Sequence, residues 1–176
     1  MTASRQLVYR PPAPLGPAHD VAGFDCRSTE QTAWLRRHAR QAGATGTTRT
    51  FVVTAGDDEQ RVAAYYSWCM AHLAHDDAPV RARRGAGRYP QPVALLARLG
   101  VARDHEGRGL GAGMLGDVVL RLLAISDQIG CRGLLIHCED ERARAFYQHL
   151  LPELEPSPTD ELHLVLLTKD ARRSLR

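Results

Sequence analysis

The chain has 176 residues, 44% of them hydrophobic and 24% charged, with a formal net charge of +3. That length suits one domain able to bury roughly 70% of the surface its unfolded form exposes, and the composition excludes a disordered, collagen-like or disulfide-dense chain. The net charge is too small to argue by itself for a polyanionic partner, so where the charge lies matters more than its sum.

The N-terminal run MTASRQLVYRPPAPLGP carries Arg5 and Arg10 but no apolar segment. It is therefore not a secretory signal, and about residues 1–12 are expected to be flexible. No run nears the 18 apolar residues of a membrane span, so a cytoplasmic protein with no membrane partner is expected. Cys26, Cys69, Cys131 and Cys138 show neither CxxC spacing nor a histidine pair at ligand spacing, which points to reduced thiols and no metal site. Residues STEQTAWLRRHARQA read as one helix, with Ser28 as its N-cap and Gln31 at the capping-box position. Strands follow at 50–54 and 61–73, joined as a hairpin by the acidic turn AGDDEQ. In the second strand Val62, Ala64, Tyr66, Trp68 and Met70 share one face.

Residues 76–92, DDAPVRARRGAGRYPQP, hold three prolines and two glycines and follow neither apolar period. A loop of that length inside a compact domain points to function or to disorder. Arg81, Arg83, Arg84 and Arg88 gather there with no acid between Ala78 and Pro92, a concentration of forked donors suited to phosphate oxygens. Arg36 and Arg37 on the first helix could extend the patch, although a solvated helix face also explains them. VALLARLGVA, 93–102, reads as a strand buried on both faces. Beyond the glycine-rich stretch HEGRGLGAGMLG, a helix over 109–129 repeats Leu110, Met114, Val118, Leu122, Ile125 and Ile129 at helical spacing. GLLIHC, 133–138, is another buried strand. Asp140 caps the helix ERARAFYQHL, which Pro152 stops. LHLVLL, 162–167, is the last strand, and 169–176 form a basic tail. The order specifies an α/β protein whose central mixed, mostly antiparallel sheet is flanked by helices in a single domain.

Each glycine costs a helix about 1 kcal/mol relative to alanine, so the five between 105 and 116 need a reason. Glycines at a strand-to-helix turn let the backbone approach a ligand. The free amides at the helix start, together with its dipole, then favour a phosphate. GAGMLG, 111–116, matches the dinucleotide pattern GxGxxG, with Glu139 downstream in reach of a ribose. The preceding strand, however, ends near Ala102, and Gly113 and Gly116 fall among helical residues where they would permit close packing. That reading is discounted, and a structural glycine turn without ligand stays as an alternative.

EGRGLG, Glu106 to Gly111, resembles the [Gln/Arg]-x-x-Gly-x-[Gly/Ala] loop of the GNAT superfamily of acyl-CoA N-acetyltransferases, with Glu106 where that family has Gln or Arg. The resemblance implies the GNAT fold, acetyl-CoA as cofactor, and a diphosphate held by Glu106, Gly107, Arg108, Gly109, Leu110, Gly111 and Ala112. It also implies a splayed strand at RLGV, where Leu99, Gly100 and Val101 meet the pantetheine arm and a backbone amide serves the oxyanion. The helix EDERARAFYQHL is similar to the family's A-x-x-F-Y helix, which implies Phe146 beside the cofactor and Tyr147 as general acid. From about His19 to Leu167 the chain is similar to the acetyltransferase toxins of type II toxin–antitoxin modules. That likeness implies acetylation of the α-amine of aminoacyl-tRNA, arrest of translation, a ribbon-helix-helix antitoxin as partner and a possible homodimer. The alternatives are an acetyltransferase of a small amine or protein N-terminus, and a non-catalytic RNA- or partner-binding module of the same fold. A Cys–His nucleophile built from Cys138 and His137 is discounted, because adjacent strand residues point to opposite faces.

Overall fold

In the computed structural model, residues 7–175 are described. The chain orders seven strands as β1-β2-β3-β4-β5-β7-β6: β1 (Ala13–Pro14), β2 (Arg49–Ala55), β3 (Asp58–Leu73), β4 (Gln91–Val101), β5 (Gly133–His137), β6 (Glu155–Pro156) and β7 (His163–Leu167). The helices are α1 (Thr29–Arg37), α2 (Ala39–Thr45), α3 (Val80–Arg83), α4 (Leu110–Ser126), α5 (Glu141–Leu150) and α6 (Thr168–Ser174). The described registers are antiparallel for β1–β2, β5–β7 and β6–β7 and parallel for β4–β5. The expected mixed sheet with flanking helices is therefore present. By packing, the chain forms two compact units, one of residues up to Ser67 with Arg98–Leu115, the other of Trp68–Ala97 with Gly116–Arg176. Strands β3 and β4 and helix α4 each pass from one unit to the other.

In the first unit the core gathers Val21, Phe24, Cys26, Leu35, Ala39, Val52, Val62, Tyr65 and Ala102. Tyr65 is its hub: Phe24 meets the ring edge-on at 5.3 Å, Trp34 stacks at 6.3 Å, and the buried hydroxyl donates to Gln31 O at 2.7 Å. A Cβ on Gly100 would lie 3.1 Å from the Tyr65 ring and 3.3 Å from Cys26 Sγ, so that strand position has a packing reason to lack a side chain. Ser28 caps α1 by accepting from Gln31 N at 3.1 Å. The single helix expected over 28–42 is divided at His38, whose φ of −121° leaves the helical region. His38 N still donates to Trp34 O and His38 O accepts from Ala42 N, so the break sacrifices little bonding and no Gly or Pro announces it.

The N-terminal segment departs from expectation. From Val8 onward the chain is tied to β2 and the turn after it: Val8 O accepts from Gly56 N, Arg10 N donates to Thr54 O, Ala13 registers with Val52, and Leu15 N donates to Thr50 O. Pairing of backbone groups decides order there, and the prolines are compatible with an edge position. Residues 1–6 lie outside the described residues. Tyr9 Oη and His105 Nδ1 share a 2.8 Å hydrogen bond with their rings edge-to-face, fastening this segment to the turn after β4.

The second unit packs Leu73, Ala78, Ala82, Val93, Leu135, Val165 and Leu167 together. Residues 76–92, expected as an unbroken loop, contain α3. Arg81 of that helix reaches Glu155 Oε1 at 2.7 Å and Asp170 Oδ1 at 3.1 Å, and Arg173 also pairs with Asp170. Asp170 is 2% exposed, so the two guanidiniums offset the cost of burying its charge. The expected basic tail is thus a helix, α6, anchored by its one buried acid. Helix α4 stops at Ser126 rather than 129, leaving Ile129 exposed. A Cβ on Gly113 or Gly116 would meet nothing within 4 Å, so close packing is not why they are glycines. In β3, Val62 through Trp68 are buried on both faces, whereas Met70 is exposed.

Two outcomes are expected. A Cβ at Gly133 would land on the carbonyl oxygen of Leu166 on β7, so Gly133→Ala should destabilise the protein by about 1–3 kcal/mol, read as a lowered urea midpoint. Burial holds the His105 imidazole below its ordinary pKa. The unfolded side chain takes a proton near pH 6.5 while the folded one does not. Stability should therefore be full above that pH and decline as pH falls below it, and urea titrations from pH 8 to 5 of the native chain and Tyr9→Phe/His105→Gln should show a shallower decline for the double variant.

Candidate active site

The turn from β4 to α4 belongs to the first unit. A 3-10 turn, Arg103–His105, follows β4, and the chain then passes through Glu106, Gly107, Arg108 and Gly109 into the helix. Gly107 and Gly109 have φ of 70° and 80°, the left-handed region that side-chain-bearing residues rarely adopt. A Cβ on either would meet nothing within 4 Å, so conformation rather than crowding selects glycine and the space above the turn is open. Gly109 O accepts from Gly113 N at 3.0 Å, the first bond of the helix, and glycine offers no side chain to cap the amides that follow. Those first-turn amides have no acceptor within the helix. An uncapped, positive helix end beneath open space fits a diphosphate.

The acids around this turn are compensated. Asp25 accepts from Arg103 Nε at 2.8 Å, Asp104 pairs with Arg61, and Glu106 receives Arg27 Nε on both oxygens at 2.9 Å. Arg108 is exposed and makes no side-chain hydrogen bond or ion pair among the described residues. Leu110, Gly111 and Ala112 form the first turn of α4. The β4–β5 ladder registers Ala94 with Leu134, Leu95 with Leu135 and Leu96 with Ile136, and β4 then runs on through Leu99, Gly100 and Val101.

In the second unit, Asp140 caps α5 by accepting from Ala143 N at 2.8 Å. This places Tyr147 on the buried face, 7% exposed, with Phe146 edge-on to it at 5.2 Å and itself 37% exposed. Burial first, then Cys138 and Glu139, push the Tyr147 phenol well above its ordinary range, so it keeps its proton at neutral pH. Burial likewise pushes the Cys138 thiol up to about 11. A thiol that stays protonated is a poor nucleophile. His137 stacks instead on its cross-strand neighbour His163, ring centroids 3.9 Å apart, so no Cys–His pair forms.

The arginines of the basic loop divide by what they already hold. Arg81 is committed to Glu155 and Asp170, and Arg83 donates to Ala78 O at 2.8 Å and Asp76 O at 3.0 Å. Arg84 and Arg88 are exposed and make no side-chain hydrogen bond or ion pair among the described residues. Arg132, just before β5, donates to Arg84 O at 3.0 Å and ties the loop to that end of the strand. Arg132 precedes β5, whereas Cys138 and Glu139, which influence the Tyr147 phenol, follow it. On α1 in the first unit, Arg36 and Arg37 are exposed, and Arg36 Nε donates to Phe24 O at 2.7 Å. Arg27, Asp25 and Tyr9 had no motif to mark them, since their partners lie 78 to 96 residues away in sequence.

The chain is 41% identical over 164 residues to the tRNA-acetylating toxin of Mycobacterium tuberculosis (strain ATCC 25618 / H37Rv), covering 93% of this chain and 95% of that one. Among solved structures it superposes on AtaT complexed with acetyl-methionyl-tRNAfMet with a TM-score of 0.84 at 22% identity, covering 97% of this chain and 99% of the other. It also superposes on a tyrosine-to-phenylalanine mutant of AtaT bound to the C-terminus of the antitoxin AtaR and acetyl-CoA, with a TM-score of 0.77 at 21% identity, over 96% and 97% of the two chains. These two likenesses show the fold. Residues 23–151 match the acetyltransferase (GNAT) pattern, and with that match over most of its length the chain belongs to the acetyltransferase (GNAT) family.

Proposed function

We propose that this chain transfers the acetyl group of acetyl-CoA to the α-amine of an aminoacyl-tRNA and so stops translation. The observation that carries the reading is its likeness, along nearly the whole chain, to a toxin that acetylates tRNA. When bound, acetyl-CoA supplies an activated acetyl thioester. Amides from Glu106 to Ala112 hold its diphosphate, with Gly107 and Gly109 giving the turn its left-handed backbone and Arg108 a free charge. Backbone groups of Leu99, Gly100 and Val101, beyond the β4–β5 ladder, pair with the pantetheine arm, and one of their amides stabilises the oxyanion. Phe146, half-exposed beside Tyr147, flanks the acyl end.

An α-amine titrates near 7.7–8.0 in model compounds, so a useful neutral fraction exists without a dedicated strong base. What the protein must supply is alignment and one proton. Tyr147 holds that proton on Oη, because burial keeps the phenol neutral, and acts as general acid for the leaving group. Arg84 and Arg88, with Arg36 and Arg37, meet tRNA phosphates. The loop that carries Arg84 and Arg88 is tied by Arg132 to the start of β5. AtaT's complex with AtaR supports a protein antitoxin as partner; the reading makes that antitoxin a ribbon-helix-helix protein, places the chain in the cytoplasm and allows a homodimer.

Radiolabelled acetyl transfer should mark charged tRNA and leave deacylated tRNA unlabelled; labelling of small amines instead would overturn the substrate. Tyr147→Phe is expected to lower turnover roughly 10²–10⁴-fold while calorimetric affinity for acetyl-CoA stays within twofold. Arg84→Ala/Arg88→Ala should weaken tRNA use and reduce the salt slope by about 2, with the melting temperature unchanged. Arg81→Ala should do the reverse, lowering the melting temperature and leaving the salt slope alone.

A further inference from the structure

Glu106 opens the glycine turn at the position where the family carries glutamine or arginine, and a bare carboxylate there would repel a diphosphate. It is not bare. Arg27 grips it side-on, with Nε 2.9 Å from both oxygens and Nη2 2.8 Å from Oε2. The segment bearing Arg27 is itself fixed to the entrance of the turn by main-chain bonds: Cys26 bridges to Ala102, and Arg103 N donates to Asp25 O at 3.0 Å. The guanidinium is therefore held from both its backbone and its tip.

A guanidinium carries five N–H donors in a planar fork. The grip on Glu106 occupies the one on Nε and one on Nη2, leaving three. Exposure divides in the same sense, since the Glu106 side chain is 28% exposed and that of Arg27 is 54%. Of the pair the guanidinium side is the more open, with more than half of the Arg27 side chain accessible to solvent beside the turn. The neighbouring acids compete little for the remaining donors, because Asp25 is taken by Arg103 and Asp104 by Arg61. We propose that Arg27 is a phosphate-binding residue of the acetyl-CoA site, supplied from outside the glycine loop and oriented by Glu106. Glu106 thus acts as an anchor for a cation rather than as a ligand in its own right. The inference rests on the reading of Glu106–Ala112 as the diphosphate site.

The test is calorimetric titration of the full chain with acetyl-CoA and with acetyl-pantetheine, which shares the thioester and arm but has no phosphate. Arg27→Ala should weaken acetyl-CoA roughly ten- to hundredfold, the range for a lost charge-assisted hydrogen bond, and leave acetyl-pantetheine within twofold. Wild-type affinity for acetyl-CoA in Arg27→Ala, or an equal loss for both ligands, would overturn the proposal. The double variant Arg27→Ala/Glu106→Gln separates contact from simple neutralisation. It should stay at least about tenfold weak if Arg27 touches phosphate, whereas recovery to wild-type affinity would show that Arg27 only cancels Glu106 and overturn the claim. Arg27→Lys, which keeps the charge and loses the fork, should fall between the wild type and Arg27→Ala. An unmodified chain that binds no acetyl-CoA would sink the diphosphate reading itself, a result distinct from any arginine-specific failure.

Discussion

Two like charges about 4 Å apart repel by about 4 kcal/mol at the effective dielectric of a protein surface, so an anion can settle on the β4-to-α4 turn only if the turn's own carboxylates are cancelled. The turn's own acids, Asp104 and Glu106, each carry an arginine drawn from elsewhere in the first unit, Arg61 and Arg27, and the adjacent Asp25 is held by the turn's Arg103. What remains for an approaching anion is the positive end of α4, its first-turn amides and the exposed Arg108. The left-handed glycines matter for the same reason, because they turn the backbone through a conformation that leaves open space above it.

In the second unit a single physical cause sorts the candidate chemical groups. Burial raises the proton affinity of both the Cys138 thiol and the Tyr147 phenol. For a nucleophile that is disabling, since the thiolate is the reactive form; the phenol, for its part, simply stays protonated at neutral pH. His137 is withdrawn from either role by stacking on His163 across the β5–β7 ladder. Desolvation thus leaves Tyr147 holding a proton in a buried position at neutral pH, the property the proposed role requires.

Much of this was legible in the residue order. Apolar runs located β4, β5 and β7, the Ser28 and Asp140 caps located α1 and α5, and the glycines located the turn into α4. Local spacing carries those signals. Pairings between distant residues have no local trace, which is why the Arg27–Glu106 grip, the Tyr9–His105 tie and the capture of Arg81 by Asp170 were invisible. The four arginines of the basic loop looked equivalent because composition cannot say which guanidiniums are already engaged. The N-terminal prolines and the charged C-terminus read as loose ends for a similar reason: their order comes from a β2 edge and from one buried acid, both supplied by tertiary packing.

The captured acid also has a meaning in time. Arg81 and Asp170 are 89 residues apart, so a ribosome must have made α6 before α3 can be fastened. Until then a guanidinium in the nascent second unit lacks its buried counter-charge. Fastening of α3 is therefore decided by a contact between residues 89 positions apart and not by its own four-residue sequence.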